Sequence, residues 1–201
     1  MSATTTSVPS TARRARTEEI IDAATRLFSE RGFTETGIDD IGAAIGVTGP
    51  AVYRYFASKE EVLVAVLDRA VQHAEGVAAT ARAGASSPQD ALWRIVDGAV
   101  AVCIADRALT ALYWNEARNL PAPQRRRVER AQREMIDDFA EILRDARPEL
   151  TPSEARMAVV AAASLMLSVA VRPTSLDDAT LQELLSRMAH AALLAAPASR
   201  S

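Results

Sequence analysis

The sequence predicts an all-α protein: an N-terminal three-helix helix-turn-helix domain joined to a larger helical domain. Three observations lead there. Apolar residues recur at helical spacing along most of the 201 residues, and no stretch alternates as a strand does. Hydrophobic residues make up 49% of the chain and aromatics only 4%, so the core must be built from alanine, leucine, valine and isoleucine, a mix that favours packed helices. Helix start and stop signals divide the apolar stretches into units short enough to be single helices.

Residues 1 to about 12 are rich in Ser, Thr and Pro and too polar to bury much surface. With Arg13, Arg14 and Arg16 they are expected to form a flexible arm over 1–16. Thr17 can cap a first helix that carries Glu18 and Glu19 in its first turn and Ile20, Ala24, Leu27 and Phe28 at helical spacing, until Gly32 stops it. A shorter unit opens at Thr36, with Asp39 three residues on, and places Ile38, Ile41 and Ile45 on one side before Gly46. Thr48 is a good N-cap for a third helix, with Pro50 in the first turn where its missing N–H costs little, and that helix is expected to run through Phe56. Ser58 with Glu61 forms the next capping box, ahead of Val62, Leu63, Val66 and Leu67. The N-terminal domain is thus expected over 17–62 and a second helical domain over 63–201.

Longer helices follow. Ser87 and Pro88 open one that runs to about residue 105, and "ALTALYWNEARN" makes a shorter one ending before Pro121. A helix from about 122 to 146 puts Val128, Ala131, Met135, Phe139 and Ile142 on one stripe. "TPSE", Thr151 to Glu154, is a capping box for an almost uncharged helix that stops before Pro173, and a final helix begins near Asp178.

Composition excludes several function classes. The single cysteine, Cys103, cannot form an intramolecular disulfide, and with His73 and His190 as the only histidines no zinc-ligand spacing can be assembled, so no metal or cofactor is expected. The N-terminus lacks the apolar core of a secretory signal, and no later segment makes a charge-free membrane span; a cytoplasmic protein without membrane contact is expected. A net charge of −3 gives no global signature of nucleic-acid binding, so any such contact has to be local.

The stretch "TGPAVYRYFASKE" supplies the local feature. It holds Tyr53 and Tyr55, two of the three tyrosines, and Lys59, the only lysine. Two short helices joined by "GVTG" have the dimensions of a helix-turn-helix: Gly46 allows the tight turn, Val47 plugs it, and the second helix can enter a DNA major groove about 12 Å wide. Tyrosine hydroxyls can donate to phosphate, Arg54 can reach a guanine edge or a phosphate, and Lys59 adds charge at a helix start. Taken alone, the two tyrosines also fit as core aromatics and "SKEE" as an ordinary surface helix start.

The order of residues decides between these. "IDDIGAAIGVTGPAVYRYFASKEEVL", Ile38 to Leu63, resembles the DNA-binding signature of the TetR family of bacterial transcriptional regulators, and "IIDAATRLFSERGF" resembles that family's first helix. Gly46, Val47, Tyr53, Tyr55, Phe56 and Lys59 occupy the family's positions. The resemblance implies phosphate contacts from Thr36, Tyr53, Tyr55 and Lys59, with Thr48, Gly49, Pro50, Ala51 and Arg54 facing the groove. Gly49, Pro50 and Ala51 have little hydrogen-bonding capacity, so direct base readout is expected to be sparse and DNA shape to matter more. The arginines of the arm either reach a minor groove or stay solvated.

What the resemblance implies for the second domain is ligand sensing and dimerisation. The alanine-rich helix after Glu154 and "LQELLSRMAHAALLAA" either form a symmetric four-helix interface with a second copy, or the former is a buried core helix. Trp93, Cys103, Tyr113, Trp114, Glu116, Met135 and Phe139 are candidate ligand contacts, with Asn115, Arg118 and His73 as further polar anchors. "LYWNEARNLP" resembles stretches of family members that sense acyl-CoA-type or other hydrophobic ligands; Trp114 and Arg118 also fit a stacked surface pair. The basic run "RRRVERAQR" either attracts the phosphates of a coenzyme or, as the better default, is a charged helix face paired through Glu129–Arg133 and Arg130–Glu134. The expected partners are double-stranded operator DNA, a small-molecule effector and a second copy of the chain, and the expected role is a ligand-responsive repressor. The alternative is an all-helical enzyme, built on a pair such as Tyr113 and Glu116, or an interaction module without DNA binding; no Gly-rich phosphate loop or nucleophile–base spacing favours an enzyme.

Overall fold

The computed structural model describes residues 11–116, 119–171 and 174–195. In chain order its helices are α1 (Thr11–Arg31), α2 (Ile38–Ala44), α3 (Gly49–Val52), α4 (Lys59–Ala83), α5 (Pro88–Ala105), α6 (Arg107–Asn115), α7 (Ala122–Ala146), α8 (Pro152–Val171) and α9 (Asp178–Ala195). The chain divides into two compact units, Met1–Val66 and Leu67–Ser201, with α4 running from one into the other.

In the first unit, α1 starts well before Thr17. The Thr17 hydroxyl does not cap; it donates back to the Arg13 carbonyl one turn earlier (2.9 Å), which lets the helix continue through it. Arg13, Arg14 and Arg16 therefore stand in the first turns of α1, and Arg16 is paired with Glu19 at 2.6 Å. Gly32 ends the helix at φ +83°, a left-handed conformation that suits glycine. α2 is capped one residue later than its sequence suggests: the Gly37 N–H donates to the Asp40 carboxylate (2.7 Å). Ile20, Ala24, Phe28, Ile41, Val52, Val62 and Leu63 are all but sealed from solvent, and Phe28 meets Phe33 edge to face at 5.3 Å. Each of the larger side chains stabilises the unit by roughly 1.5–3 kcal/mol on burial.

The second unit follows its local signals more closely. Ser87 accepts the Asp90 N–H (3.1 Å) at the start of α5, and Asp106 accepts the Leu109 N–H (2.9 Å) at the start of α6. Thr151 and Glu154 form the reciprocal capping box of α8, with Thr151 N to Glu154 at 2.8 Å and Glu154 N to Thr151 at 3.3 Å. The Arg147 guanidinium closes the far end of α9 by donating to the carbonyls of Leu193 (2.9 Å) and Leu194 (2.7 Å), where a cation suits the helix dipole.

The alanine stripe of α8 is divided between two jobs. Ala155, Ala158 and Ala162 are buried against Leu92 and Val96 of α5, Leu143 of α7 and Ala189 and Leu193 of α9. These small side chains thus serve the core of their own unit. The other side of α8 and α9 exposes Met157, Val160, Leu184, Met188 and Leu194. Over Pro152–Ala170 the helix has a mean hydropathy of 1.4, enough by length and composition to cross a bilayer; Glu154 and Arg156 lie within it, and 28% of the stretch is buried.

Candidate functional site

The α2–α3 pair is held by backbone approach. The turn closes through Ile45 N to Gly42 O (3.1 Å), Gly46 N to Ala43 O (3.2 Å) and Val47 N to Gly42 O (2.9 Å), with Gly46 at φ +71°. A Cβ on Gly42 would stand 2.8 Å from the Val47 carbonyl oxygen and 3.2 Å from the Gly49 nitrogen, so only glycine allows the two helices to cross this closely. α3 is a single turn anchored by the fully buried Val52; beyond it the chain continues in turns, with Tyr55 N and Phe56 N both bonded to the Val52 carbonyl (2.9 and 3.2 Å). The expected helix through Phe56 therefore ends earlier as regular α-helix while keeping its direction of hydrogen bonding.

From this frame Tyr53 projects with 55% of its surface exposed, and Arg54, Thr48 and Pro50 are exposed beside it. Tyr55 is half-buried under the Arg13 guanidinium, which lies 5.3 Å from the ring centroid and donates to the Arg54 carbonyl (3.3 Å). Arg13 thus braces the end of the α3 turn. Ala51 is half-buried.

Three of the expected contacts are engaged within the unit itself. Thr36 is 1% exposed, and its hydroxyl donates to the Gly32 carbonyl (2.9 Å), with the Leu27 carbonyl also near (3.3 Å), so it has no surface to offer a phosphate. Lys59 directs its ammonium at the carbonyls of Phe33 (2.8 Å), Thr36 (2.9 Å) and Thr34 (3.3 Å), and lies 4.4 Å from the centroid of the Phe33 ring. An ammonium has three protons, and three carbonyls take them. The lysine is a staple across the α1–α2 turn. Gly49 is buried, with the Asp39 side chain lying where a Cβ would be, and does not face outward.

The second unit holds an apolar cavity of about 140 Å³ among α4, α5, α6, α7 and α8. Of the expected ligand contacts it brings together Cys103, Tyr113, Met135 and Phe139. Burial pushes the Cys103 thiol up from its ordinary pKa, and pushes the Tyr113 phenol up to about 12 against the opposing hydrogen bond from Gln132. Both groups are neutral at pH 7.

Trp93 is not part of the cavity. It stands 42% exposed on α5 and packs edge to face on His190 of α9, with ring centroids 3.7 Å apart. The buried His190 Nδ1 has no hydrogen-bond partner, and desolvation lowers the His190 pKa, opposed by the charge of Asp97. Glu116 is also elsewhere: it is the C-cap of α6 and accepts a hydrogen bond from the Asn119 side chain. The side chains of Trp114 and Asn115, and Arg118 altogether, lie outside the described residues; His73 is exposed on α4.

Sequence reasoning missed Val102, Asp106, Thr110, Ile136, Val159 and Met166 in the wall. A signal existed: Ala99, Cys103 and Asp106, then Thr110 and Tyr113, then Met135, Ile136 and Phe139 each follow helical spacing, so each helix turns one face to the cavity. In the basic run, Glu129 pairs with Arg125 (3.7 Å) and Arg127 reaches Asp68 (2.6 Å), which ties α7 to α4.

A helix-turn-helix unit followed by a helical bundle with an internal cavity defines the class. Residues 20–66 match the family model described as bacterial regulatory proteins, tetR family, and residues 85–171 match a tetracyclin repressor-like C-terminal domain. The chain belongs to the TetR family. Similar proteins include the HTH-type transcriptional regulator HbdR of Aromatoleum sp. (strain CIB), 32% identical over 110 residues, which are 55% of this chain and 48% of that one. EthR of Mycobacterium tuberculosis is 34% identical over 76 residues, covering 37% of this chain and 35% of that one. The alignments thus span half or less of these relatives. Among solved structures, a regulatory protein of the family from Rhodococcus RHA1 superposes with a TM-score of 0.76 at 21% identity, covering 92% of this chain and 98% of that one. AibR, solved in complex with isovaleryl coenzyme A and operator DNA, superposes with a TM-score of 0.72 at 17% identity, covering 86% and 97%. At these identities the likeness is one of fold.

Proposed function

We propose that the chain is a cytoplasmic, ligand-responsive transcriptional repressor that binds a palindromic operator as a homodimer and is released by a small hydrophobic or acyl-CoA-like effector. The observation that carries this reading is the α3 turn, rigidly crossed on α2 at Gly42, with Tyr53 and Arg54 projecting from it. Residues 17–62 then form the DNA-reading part and 63–201 the sensing and dimerising part. Within the former, Thr48, Pro50, Ala51 and Arg54 face the groove while Tyr53 and Tyr55 hold phosphates. The exposed apolar residues of α8 and α9 support pairing with a second copy, as reading two half-sites about 34 Å apart requires. AibR, whose structure holds both a coenzyme A thioester and operator DNA, supports the effector class.

Coupling follows from α4. Ala70 and Ala74 of this helix line the cavity, and its first residue, Lys59, is stapled to the α1–α2 turn. A ligand with different affinity for two settings of α4 shifts the population between them, and with it DNA affinity. The test is a gel shift with the chain's own upstream DNA at two salt concentrations, with and without a coenzyme A thioester. Specific, salt-sensitive retardation is expected, relieved by the thioester if the effector is acyl-CoA-like and untouched by it if the effector is a small hydrophobic molecule. Retardation that is absent, or equal on unrelated DNA, would overturn the reading.

A further inference from the structure

We propose that the cavity takes a small, neutral, apolar molecule bearing one hydroxyl, and rejects the matching carboxylate; this rests on reading the cavity as the effector site and commits to the small hydrophobic effector rather than the acyl-CoA-like one, which exceeds the cavity in size and charge. Size sets the first limit. An apolar cavity of about 150 Å³ takes a benzene ring, and a space of about 140 Å³ is of that size. A single substituted ring fills it.

The polar groups of the wall set the second limit. Among the described residues lining the cavity, Asp106 is the one charged side chain. Its Oδ1 accepts the Leu109 N–H (2.9 Å), and its negative charge stands at the boundary of an otherwise apolar space. The Thr110 hydroxyl is spent on the carbonyls of Asp106 (2.9 Å) and Cys103 (3.4 Å), and the Tyr113 hydroxyl is hydrogen-bonded with Gln132. An incoming carboxylate would be desolvated next to a like charge, with the Thr110 hydroxyl already donating to backbone. A ligand hydroxyl needs one acceptor, and Asp106 supplies it.

Cys103, the chain's only cysteine, lies in the wall and reports occupancy directly. The experiment uses the full chain and two probes of one shape, 4-methylbenzyl alcohol and 4-methylbenzoate. At equal concentration the alcohol is expected to slow alkylation of Cys103 by N-ethylmaleimide and to raise the melting temperature, with the carboxylate weaker by about tenfold or more. Asp106→Asn keeps a good N-cap for α6 while removing the charge, and is expected to narrow that gap. Ala163→Phe, which fills the space, should abolish both effects of the alcohol. A carboxylate that binds as well as the alcohol overturns the neutral class and leaves the regulator reading intact. If neither probe binds a chain that still retards its upstream DNA, the cavity is not a site for molecules of this size and the proposal is lost. Failure of retardation itself tests only the DNA reading.

Discussion

Lys59 allows two readings of one residue to be separated by measurement. As a phosphate contact it would contribute to DNA affinity and to its salt dependence; as a staple it contributes to the stability of the first unit. Its ammonium donates to the carbonyls of Phe33, Thr34 and Thr36 at 2.8, 3.3 and 2.9 Å. A hydrogen bond to a charged donor contributes roughly 1.5–3 kcal/mol, but three that share one half-buried ammonium do not add, and water can replace part of what is lost. Lys59→Met keeps the stem over Phe33 and removes only the charge and its hydrogen bonds; a loss of about 2–3 kcal/mol is expected. For a chain of this length that corresponds to a melting temperature lower by roughly 4–12 °C, read by circular dichroism and repeated in urea. The salt dependence of upstream-DNA binding is measured on the same variant, below its melting range. A phosphate contact contributes about 0.9 to the slope of log K against log salt, and the staple predicts no change in that slope. A variant that melts within about 0.5 kcal/mol of the parent yet loses about one unit of slope would refute the reasoning.

Tyr53→Phe removes a hydroxyl from a side chain that is 55% exposed; unchanged melting with weaker DNA binding across sequences is expected, and equal affinity in a gel shift counts against a phosphate contact. Gly42→Ala places a Cβ 2.8 Å from the Val47 carbonyl oxygen; because the obstacle is backbone, a loss of roughly 1–3 kcal/mol together with loss of DNA binding is expected, and a melt at the parent temperature would show that α2 and α3 can move apart freely. Asp90 has its pKa lowered from 3.8 to about 2, first by the hydrogen bond from Arg94 and then by those from Ser86. A carboxylate depressed in the folded state stabilises it above pH 4 and loses that contribution as pH falls towards 2; Asp90→Asn should flatten this limb of an acid titration, and an identical limb would show that the exposed pair contributes nothing measurable.

Much of the fold is legible where capping chemistry is local. The helices expected over about 88–105 and 122–146 are α5, Pro88–Ala105, and α7, Ala122–Ala146, because Ser87 with Pro88 and Pro121 with Pro123 define their starts within a few residues of sequence. Thr17 misleads for the converse reason: a threonine can cap a helix or bond back one turn within it, and the choice depends on whether the preceding residues are helical. The cavity was half legible. Met135 and Phe139 share a helix face, and so do Cys103 and Asp106, but nothing local says which faces from different helices meet. That is decided by packing between residues far apart in sequence, and it is why Trp93, one of the chain's two tryptophans, looks like a pocket residue and instead covers His190 on the surface.

Gly49 gives the small hydrogen-bonding surface of α3 a structural cause. A Cβ there would lie 2.0 Å from Asp39 Oδ1 and 3.0 Å from Asp39 Cγ, so glycine lets the α2 carboxylate approach the start of α3, where any other residue would turn it aside. A carboxylate at that point also suits the positive end of the helical turn. The glycine is therefore a packing residue, and Pro50 beside it presents a ring with no N–H to donate. The exposed hydrogen-bonding side chains that the proposed reading leaves to the groove are Thr48 and Arg54, one on either side of this packed start, with the methyl of Ala51 between them. A reading surface so small ties specificity to how rigidly the turn is held. In this chain that rigidity comes from Gly42 beneath it, Val52 behind it and Arg13 over Tyr55.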